Sequence, residues 1–362
     1  MKEVLESGFV NDGEVTSRFE AELATLLGVR YVVGVSSGTA ALFLALASLG
    51  VGRGDEVLVP DLTFIATANA VTLTGATPIL IDIDPRTLTI DPDACARAIT
   101  PKTKAIMPVH VSGRAAAMPA LRRLAQAHGL QIVEDAAEAF LSKHQGRCLG
   151  TWGRLGCFSF SPAKTITMGQ GGAVATNDEA LHRRLRELKD QGRPVRGTGG
   201  DDVHVSVGFN FKLTNLQAAV GVGQLATLQE RLTTLRRIYE GYRNGFTGVR
   251  RIGLFGFDVD AGESPQWIDA WCDDRDGLVE HLRARGAECR KFWFPLHTQA
   301  PYRRSDDAFP QSTSLAPKAF WLPSALTLSK ADVAMICGWI REYLQPRHHH
   351  PASVGASAAL SS

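Results

Sequence analysis

The stretch Cys157–Asn177, CFSFSPAKTITMGQGGAVATN, decides how this chain is read. A short apolar strand, Cys157 to Phe160, leads to Lys164. A glycine-rich loop (Gly169, Gly171, Gly172) follows, and then a second strand, Ala173 to Thr176. The lysine therefore falls in an irregular turn between two strands. Most lysines are solvated surface charges, and that plain reading stays open for Lys164. A lysine enclosed in an apolar turn, however, loses hydration, which makes its neutral amine accessible near neutral pH, as Schiff-base chemistry requires.

Two upstream features bear on the same chemistry. Gln131 to Glu134 reads as an apolar strand ending in Asp135, with the small residues Ala136 and Ala137 behind it. A carboxylate at the C-terminal end of a strand, facing small residues, leaves room for a flat ligand; the competing reading is a helix N-cap. Strand Tyr31–Val35 turns through Ser36-Ser37-Gly38-Thr39 into an almost wholly apolar helix that Gly50 ends. Free N–H groups at such a start, with hydroxyls beside them, cradle a phosphate, although a plain capped helix has the same sequence. A lysine for an aldehyde, a carboxylate for a pyridine nitrogen and an anion site together describe pyridoxal 5'-phosphate.

Size and charge narrow the alternatives. The 362 residues can bury a large core and form one big and one small domain. A net charge of +2 gives no basic surface for nucleic acid or an anionic membrane. No apolar run approaches the roughly 18 residues of a membrane span. The N-terminal MKEVLESG lacks the apolar centre of a signal peptide, and six scattered cysteines without CxxC spacing read as reduced thiols; the expected compartment is the cytoplasm. The sequence has no GxxxxGK[ST], no HExxH and no GxGxxG after a strand, and no metal is expected. His348–His350 lie in a small-residue tail, 347–362, that reads as disordered and without a role.

Apolar runs bounded by Gly, Pro and Asp recur at Tyr31–Val35, Glu56–Val59, Pro78–Ile83, Ala105–Val109, Gln131–Glu134, Cys157–Phe160 and Ala173–Thr176. Several are apolar throughout, as in sheets covered on both faces, and helical stretches such as Met118–His128 and Asp178–Gln191 alternate with them. The pattern predicts an α/β fold: a mainly parallel seven-stranded sheet with crossover helices in a large domain, 1–240. One long helix is expected from Asn215 towards Tyr242 as the connector. A smaller α/β domain, 241–346, should hold strands near Ile268–Cys272 and Cys289–Phe294 and helices at Asp276–Arg285 and Lys330–Tyr343.

The ordered motifs SGTAAL (37–42), GDEVLVPDLTFIATANAV (54–71), GATPILIDID (75–84), VEDAAEA (133–139), FSFSPAK (158–164), GQGGAV (169–174) and GFNFKLTNLQAAVG (208–221) resemble the DegT/DnrJ/EryC1/StrS family of pyridoxal-phosphate sugar aminotransferases, within fold-type I. The match runs from about Ser7 to about Tyr343. EDAAEA, HVSVGFNFKLTNLQAA (204–219), FWFPLHTQAPY (292–302) and LPSALTLS (322–329) are most similar to the GDP-perosamine synthase-like 4-aminotransferases in that family.

The resemblance implies a function and a set of roles. Lys164 becomes the Schiff-base lysine and proton carrier, and Asp135 the partner of the pyridine nitrogen. Phe64 stacks on the ring, unless it is an ordinary core phenylalanine. Gly38, Thr39, Ala40 and Ser159 hold the phosphate. Asn210 reaches that phosphate from the neighbouring subunit, which implies a homodimer with shared active sites. Glu138 stands near the cofactor's phenolic oxygen, where an anion is costly, so it is expected to be protonated or turned away. His204, Arg290 and His297 are candidates for substrate contact, each with a structural role as the alternative.

The implied reaction moves an amino group from L-glutamate to a keto group, at C4, of a nucleotide-linked deoxysugar. A 3-keto sugar or cyclitol ketone is the alternative acceptor. A sugar dehydratase, which Lys164 argues against, and a non-catalytic binding or regulatory protein are the alternatives in class. The resemblance also implies a further segment ahead of Lys2–Ser7; this chain starts within that region, through a misplaced start or a real loss that would remove part of the substrate pocket. Phe140-Leu141-Ser142 departs from the family's usual sequence, and the segment between Arg250 and Arg275 is expected to be short.

Overall fold

The computed structural model describes residues 1–194 and 202–345; the tail expected to be disordered, with its three histidines, lies outside them. Helices α1 (Lys2–Ser7) and α2 (Glu14–Leu27) precede β1 (Tyr31–Val35). Then helix and strand alternate: α3 (Gly38–Ser48), β2 (Glu56–Pro60), α4 (Ala66–Leu73), β3 (Thr77–Ile81), α5 (Pro92–Ala98), β4 (Thr103–Ile106), α6 (Met118–His128) and β5 (Gln131–Asp135). A small ribbon, β6 (Lys143–His144) with β7 (Arg147–Cys148), leads into β8 (Leu155–Ser159), β9 (Gly172–Thr176) and α7 (Glu179–Lys189).

Seven of these strands form one sheet, in the order β1-β9-β8-β5-β4-β2-β3. Only β9 runs antiparallel to its neighbours, so the mainly parallel seven-stranded sheet expected from the apolar runs is the one observed. Both faces are covered: Val33, Val35, Val57, Leu58, Val59 and Val133 have no exposure. Helix α3 is apolar all round because it is enclosed, with Ala40 to Leu46 buried. Since β1, β8 and β5 all point the same way, Ser36–Ser37, Ser159 and Asp135 emerge at one end of the sheet, where open α/β sheets bind ligands.

Strand β4 stops at Ile106, short of the expected Val109. Pro108 has no N–H for the ladder, and only a single bridge from Val109 to Asp135 continues it. The single long helix expected from Asn215 is two: α8 (Asn215–Leu225) and α9 (Leu228–Gly245), broken at Ala226-Thr227. The two halves serve different partners. Helix α8 packs on α2, where a Cβ on Gly221 would lie 2.6 Å from Phe19, whereas α9 packs on α12 (Lys330–Leu344). The hydroxyl of Thr227 turns back onto the carbonyl of Gln224 at the break.

A second, antiparallel sheet has the order β10-β11-β13-β12, from β10 (Ile252–Leu254), β11 (Ile268–Cys272), β12 (Arg290–Lys291) and β13 (Ala319–Leu322). Helices α10 (Arg275–Arg283), α11 (Pro310–Leu315) and α12 accompany it. Strand β12 is shorter than the expected Cys289–Phe294, because Trp293 and Phe294 leave the sheet and line a cleft. Ile238, Tyr242, Leu278, Ile336 and Ile340 share the core of this half. Where the sheets meet, Leu62, Val109 and Val111 pack with Phe255, Phe292 and Trp321. This contact brings the N-terminal end of β11 against the turns that carry Lys164.

Candidate active site

Asp135 ends β5 and is 5% exposed. The turn after it contains no helix, so the N-cap alternative falls away: its Oδ1 accepts only the Ala137 amide, at 3.1 Å. Its Oδ2 accepts the Thr67 hydroxyl at 2.8 Å, and Thr63 stands 3.1 Å behind Thr67. Burial holds the Asp135 carboxyl above the usual carboxylate range; the Thr67 and Ala137 hydrogen bonds and the Lys164 charge oppose this only in part. Period-two alternation sends the neighbouring Glu134 the other way, where it accepts from His110 Nε2 at 2.8 Å and from the amides of Gly150 and Gly153. The two adjacent acids thus divide into one structural carboxylate and one facing the site.

Lys164 lies in the turn after β8, its side chain 12% exposed. The turn is less apolar than expected. Nζ stands 3.5 Å from Glu138 Oε1 and 4.8 Å from the centre of the Trp267 ring. Glu138 Oε2 accepts the Ser112 amide at 3.0 Å. Burial pushes the Glu138 carboxyl up to about 7; Lys164 and the Ser112 amide pull it down, while Asp135 and Asp269 push it further up. The expectation that this carboxyl carries a proton thus has a physical basis in its burial.

Between the ordinary value of 4.5 and about 7 the folded chain binds more protons at Glu138 than the unfolded chain does. The stability of the cofactor-free protein therefore falls as pH rises through that window. Glu138→Gln is expected to flatten this slope in thermal melts taken across it. A slope identical to that of the parent chain would assign the effect to another group.

At the third corner, Ser37 caps α3 by accepting the Ala40 amide at 3.1 Å. The Ala40 N–H is thus taken up by its own cap, whereas the Gly38 and Thr39 amides have no acceptor among the described residues. Gly38 is pressed onto Ser159, where a Cβ would lie 2.8 Å from the serine Cβ. The helix start and Ser159 therefore lie side by side.

The other candidates separate from this cluster. Phe64 is 55% exposed rather than buried, and it lines a cleft of about 530 Å³ with Arg290, Lys291, Trp293 and Phe294. Arg290 also lies over Trp321. His297 has no exposure. Its Nδ1 is 2.6 Å from Asp61 Oδ2, its amide donates to Asp61 Oδ1, and its ring stacks on Phe309. It latches the 296–312 segment to the loop after β2. His204 is exposed and bonds the Gln191 carbonyl, beside the undescribed residues 195–201. Asn210 is exposed and bridges to Asp190. The unusual Phe140-Leu141-Ser142 turn is ordered by Ser142, whose hydroxyl donates to the Gly113 carbonyl and accepts the Ser264 amide.

Thr67, Ser112, Gln266 and Trp267 were not singled out from the sequence. Thr67 had a signal, lying three residues after Phe64 in TFIATANA, at the start of α4. The others had none: Ser112 reaches Lys164 only through Glu138, and Gln266 and Trp267 only through packing between the two sheets.

These residues fit a flat phosphorylated pyridine. A buried carboxylate whose hydrogen bonds come from neutral donors suits a ring cation, the Gly38 and Thr39 amides beside Ser159 suit a phosphate, and a primary amine lies within electrostatic reach of the carboxylate.

Comparison with known proteins agrees. The model of the DegT/DnrJ/EryC1/StrS aminotransferase family matches residues 1–341. The chain is 36% identical over 348 residues to a GDP-perosamine synthase of Escherichia coli O157:H7, spanning 95% of this chain and 94% of that one. It is 35% identical over 339 residues to a GDP-perosamine synthase of Caulobacter vibrioides, spanning 92% and 91%. The solved structure of DesV from S. venezuelae matches with a TM-score of 0.90 and 36% identity, covering 95% of this chain and 93% of that one. With matches of this length, and with its lysine, carboxylate and helix start at one end of the sheet, the chain belongs to the DegT/DnrJ/EryC1/StrS aminotransferase family.

Proposed function

We propose that this sugar aminotransferase moves the amino group of L-glutamate to the C4 keto carbon of a GDP-linked deoxysugar, using pyridoxal 5'-phosphate. The observation that carries the reading is the meeting of Lys164, Glu138 and buried Asp135 in a chain about 35% identical to proteins named GDP-perosamine synthase. Bound here, the cofactor supplies an electron sink that lets the carbon bearing the amino group lose a proton. Lys164 Nζ would bind the aldehyde and, once released by the incoming amine, take up and return that proton. Asp135 would hold a proton on the ring nitrogen. Gly38 and Thr39 would offer amides, and Thr39 and Ser159 hydroxyls, to the phosphate. Arg290, at the mouth of the cleft that Phe64 lines, has the fork geometry for a carboxylate or diphosphate.

The same reading includes a large unit, 1–240, and a small one, 241–346, supported by the separate core that begins at Ile238. It also includes a cytoplasmic site of action; among the described residues no helix is long and apolar enough to cross a membrane. Mass spectrometry of products from GDP-, dTDP- and UDP-linked keto-sugars with glutamate tests the substrate. An aminated GDP-sugar is the expected product, and amination of only dTDP- or UDP-sugars would overturn the nucleotide assignment.

The shared site of a homodimer is tested separately. Asn210 is exposed in its own chain, as a residue directed at a partner would be. Inactive Lys164→Ala and inactive Asn210→Asp subunits, when mixed, should regain activity, because one site per mixed dimer then carries neither change. If subunit exchange is demonstrated and activity stays absent, Asn210 acts within its own chain.

A further inference from the structure

We propose that Asp269, on the second sheet, is a positioning residue for Lys164 that acts through Ser112 and Glu138. The inference rests on the catalytic reading of Lys164. Three buried groups, Asp269, Ser112 and Glu138, form a chain from the second sheet to Lys164. Asp269 on β11 has no exposure; its Oδ2 pairs with Arg114, and its Oδ1 accepts the Ser112 hydroxyl at 2.9 Å. The Ser112 amide donates to Glu138 Oε2, and Glu138 Oε1 faces Lys164 Nζ.

Ser112 is held in an unfavourable backbone. Its φ is 53°, in the left-handed region that residues with a Cβ rarely adopt. The conformation is imposed from both sides. Gly113 sits so close to the Ser264 carbonyl that a Cβ would lie 2.0 Å from that oxygen, and the Gln266 amide donates to the Ser112 carbonyl at 2.8 Å. Strain of this kind persists only where the surroundings over-determine it, and here it aims one N–H at one carboxylate. The end of β11 also contacts the lysine turn directly. Gln266 Oε1 lies 3.4 Å from the Thr165 amide, and the Trp267 ring covers Lys164 Nζ. The charged groups facing Glu138 are Lys164, Asp135 and Asp269, the last paired with Arg114. Displacing Glu138 therefore changes the immediate charge environment of the lysine amine.

The test uses the cofactor-free protein, with the rate at which an amine-directed acylating reagent labels Lys164, read by peptide mapping at a pH well above the value of about 7 to which burial pushes Glu138, so that this carboxyl is ionised. Removing or loosening the carboxylate disfavours the ammonium form, so Glu138→Gln should label several-fold faster. Ser112→Gly deletes the hydroxyl link to Asp269, keeps the amide and relieves the positive φ. It should label faster too, and the double variant should equal Glu138→Gln alone, because both changes break one chain. Asp269→Asn should behave like Ser112→Gly if it folds; since it strands Arg114, Ser112→Gly carries the test independently of folding. Unaltered labelling in Ser112→Gly with only a shifted melting temperature, or effects of the two substitutions that multiply, would overturn the proposal. Failure of the catalytic reading is seen elsewhere, as turnover retained by Lys164→Ala, so the two outcomes are distinct.

Discussion

Lys164→Ala is expected to lower turnover by about 10⁴-fold or more, because one side chain supplies both the covalent anchor and the proton carrier. The fold should survive. Glu138, 3.5 Å away, loses its cation, but its carboxyl already sits near about 7 and can hold its proton instead. Melting temperature should therefore move little while activity vanishes. Two further measurements separate this from general damage. Borohydride reduction of the loaded parent protein should fix the cofactor on the peptide carrying Lys164, and the alanine variant should retain no label. Added methylamine should restore part of the proton transfer in the variant, since a free amine can occupy the space left by the side chain. Label on another lysine, or near-normal turnover in Lys164→Ala, would overturn the assignment.

Asp135→Asn should lower turnover by about 10²–10⁴-fold, the rate equivalent of the roughly 3–5 kcal/mol lost when a buried ion pair loses one partner. The amide keeps the shape and can still meet the Thr67 hydroxyl and the Ala137 amide, so the turn after β5 is preserved. What it cannot do is stabilise a positive charge on a ring nitrogen. The stability consequence has the opposite sign. Burial raises the Asp135 pKa in the folded chain, so ionising this carboxyl works against folding once the pH exceeds its unfolded value. The cofactor-free asparagine variant should therefore be at least as stable as the parent at neutral pH in thermal melts. A variant that is both active and destabilised would mark Asp135 as a structural residue.

The sequence by itself determined the sheet and the centre of the site. Continuous apolar strands with helices between them can be buried only as a sheet covered on both faces, so seven runs gave seven strands, with ends misplaced by a few residues where Pro108 or a change of helix partner intervened. Lys164, Asp135 and the Ser37–Thr39 turn were legible because each lies at the end of a strand or at the start of a helix, and strand direction alone brings such ends together. Tertiary structure decided what each side chain faces. It gave the Ala40 amide to Ser37, buried His297 against Asp61, and set Phe64 and Arg290 in one cleft. It also joined Asp269 to Lys164 across 105 positions through Ser112 and Glu138. Periodicity fixes which way a strand or helix is buried, but it carries no information about which of two distant surfaces will meet. Those contacts arise only when the second sheet packs against the first.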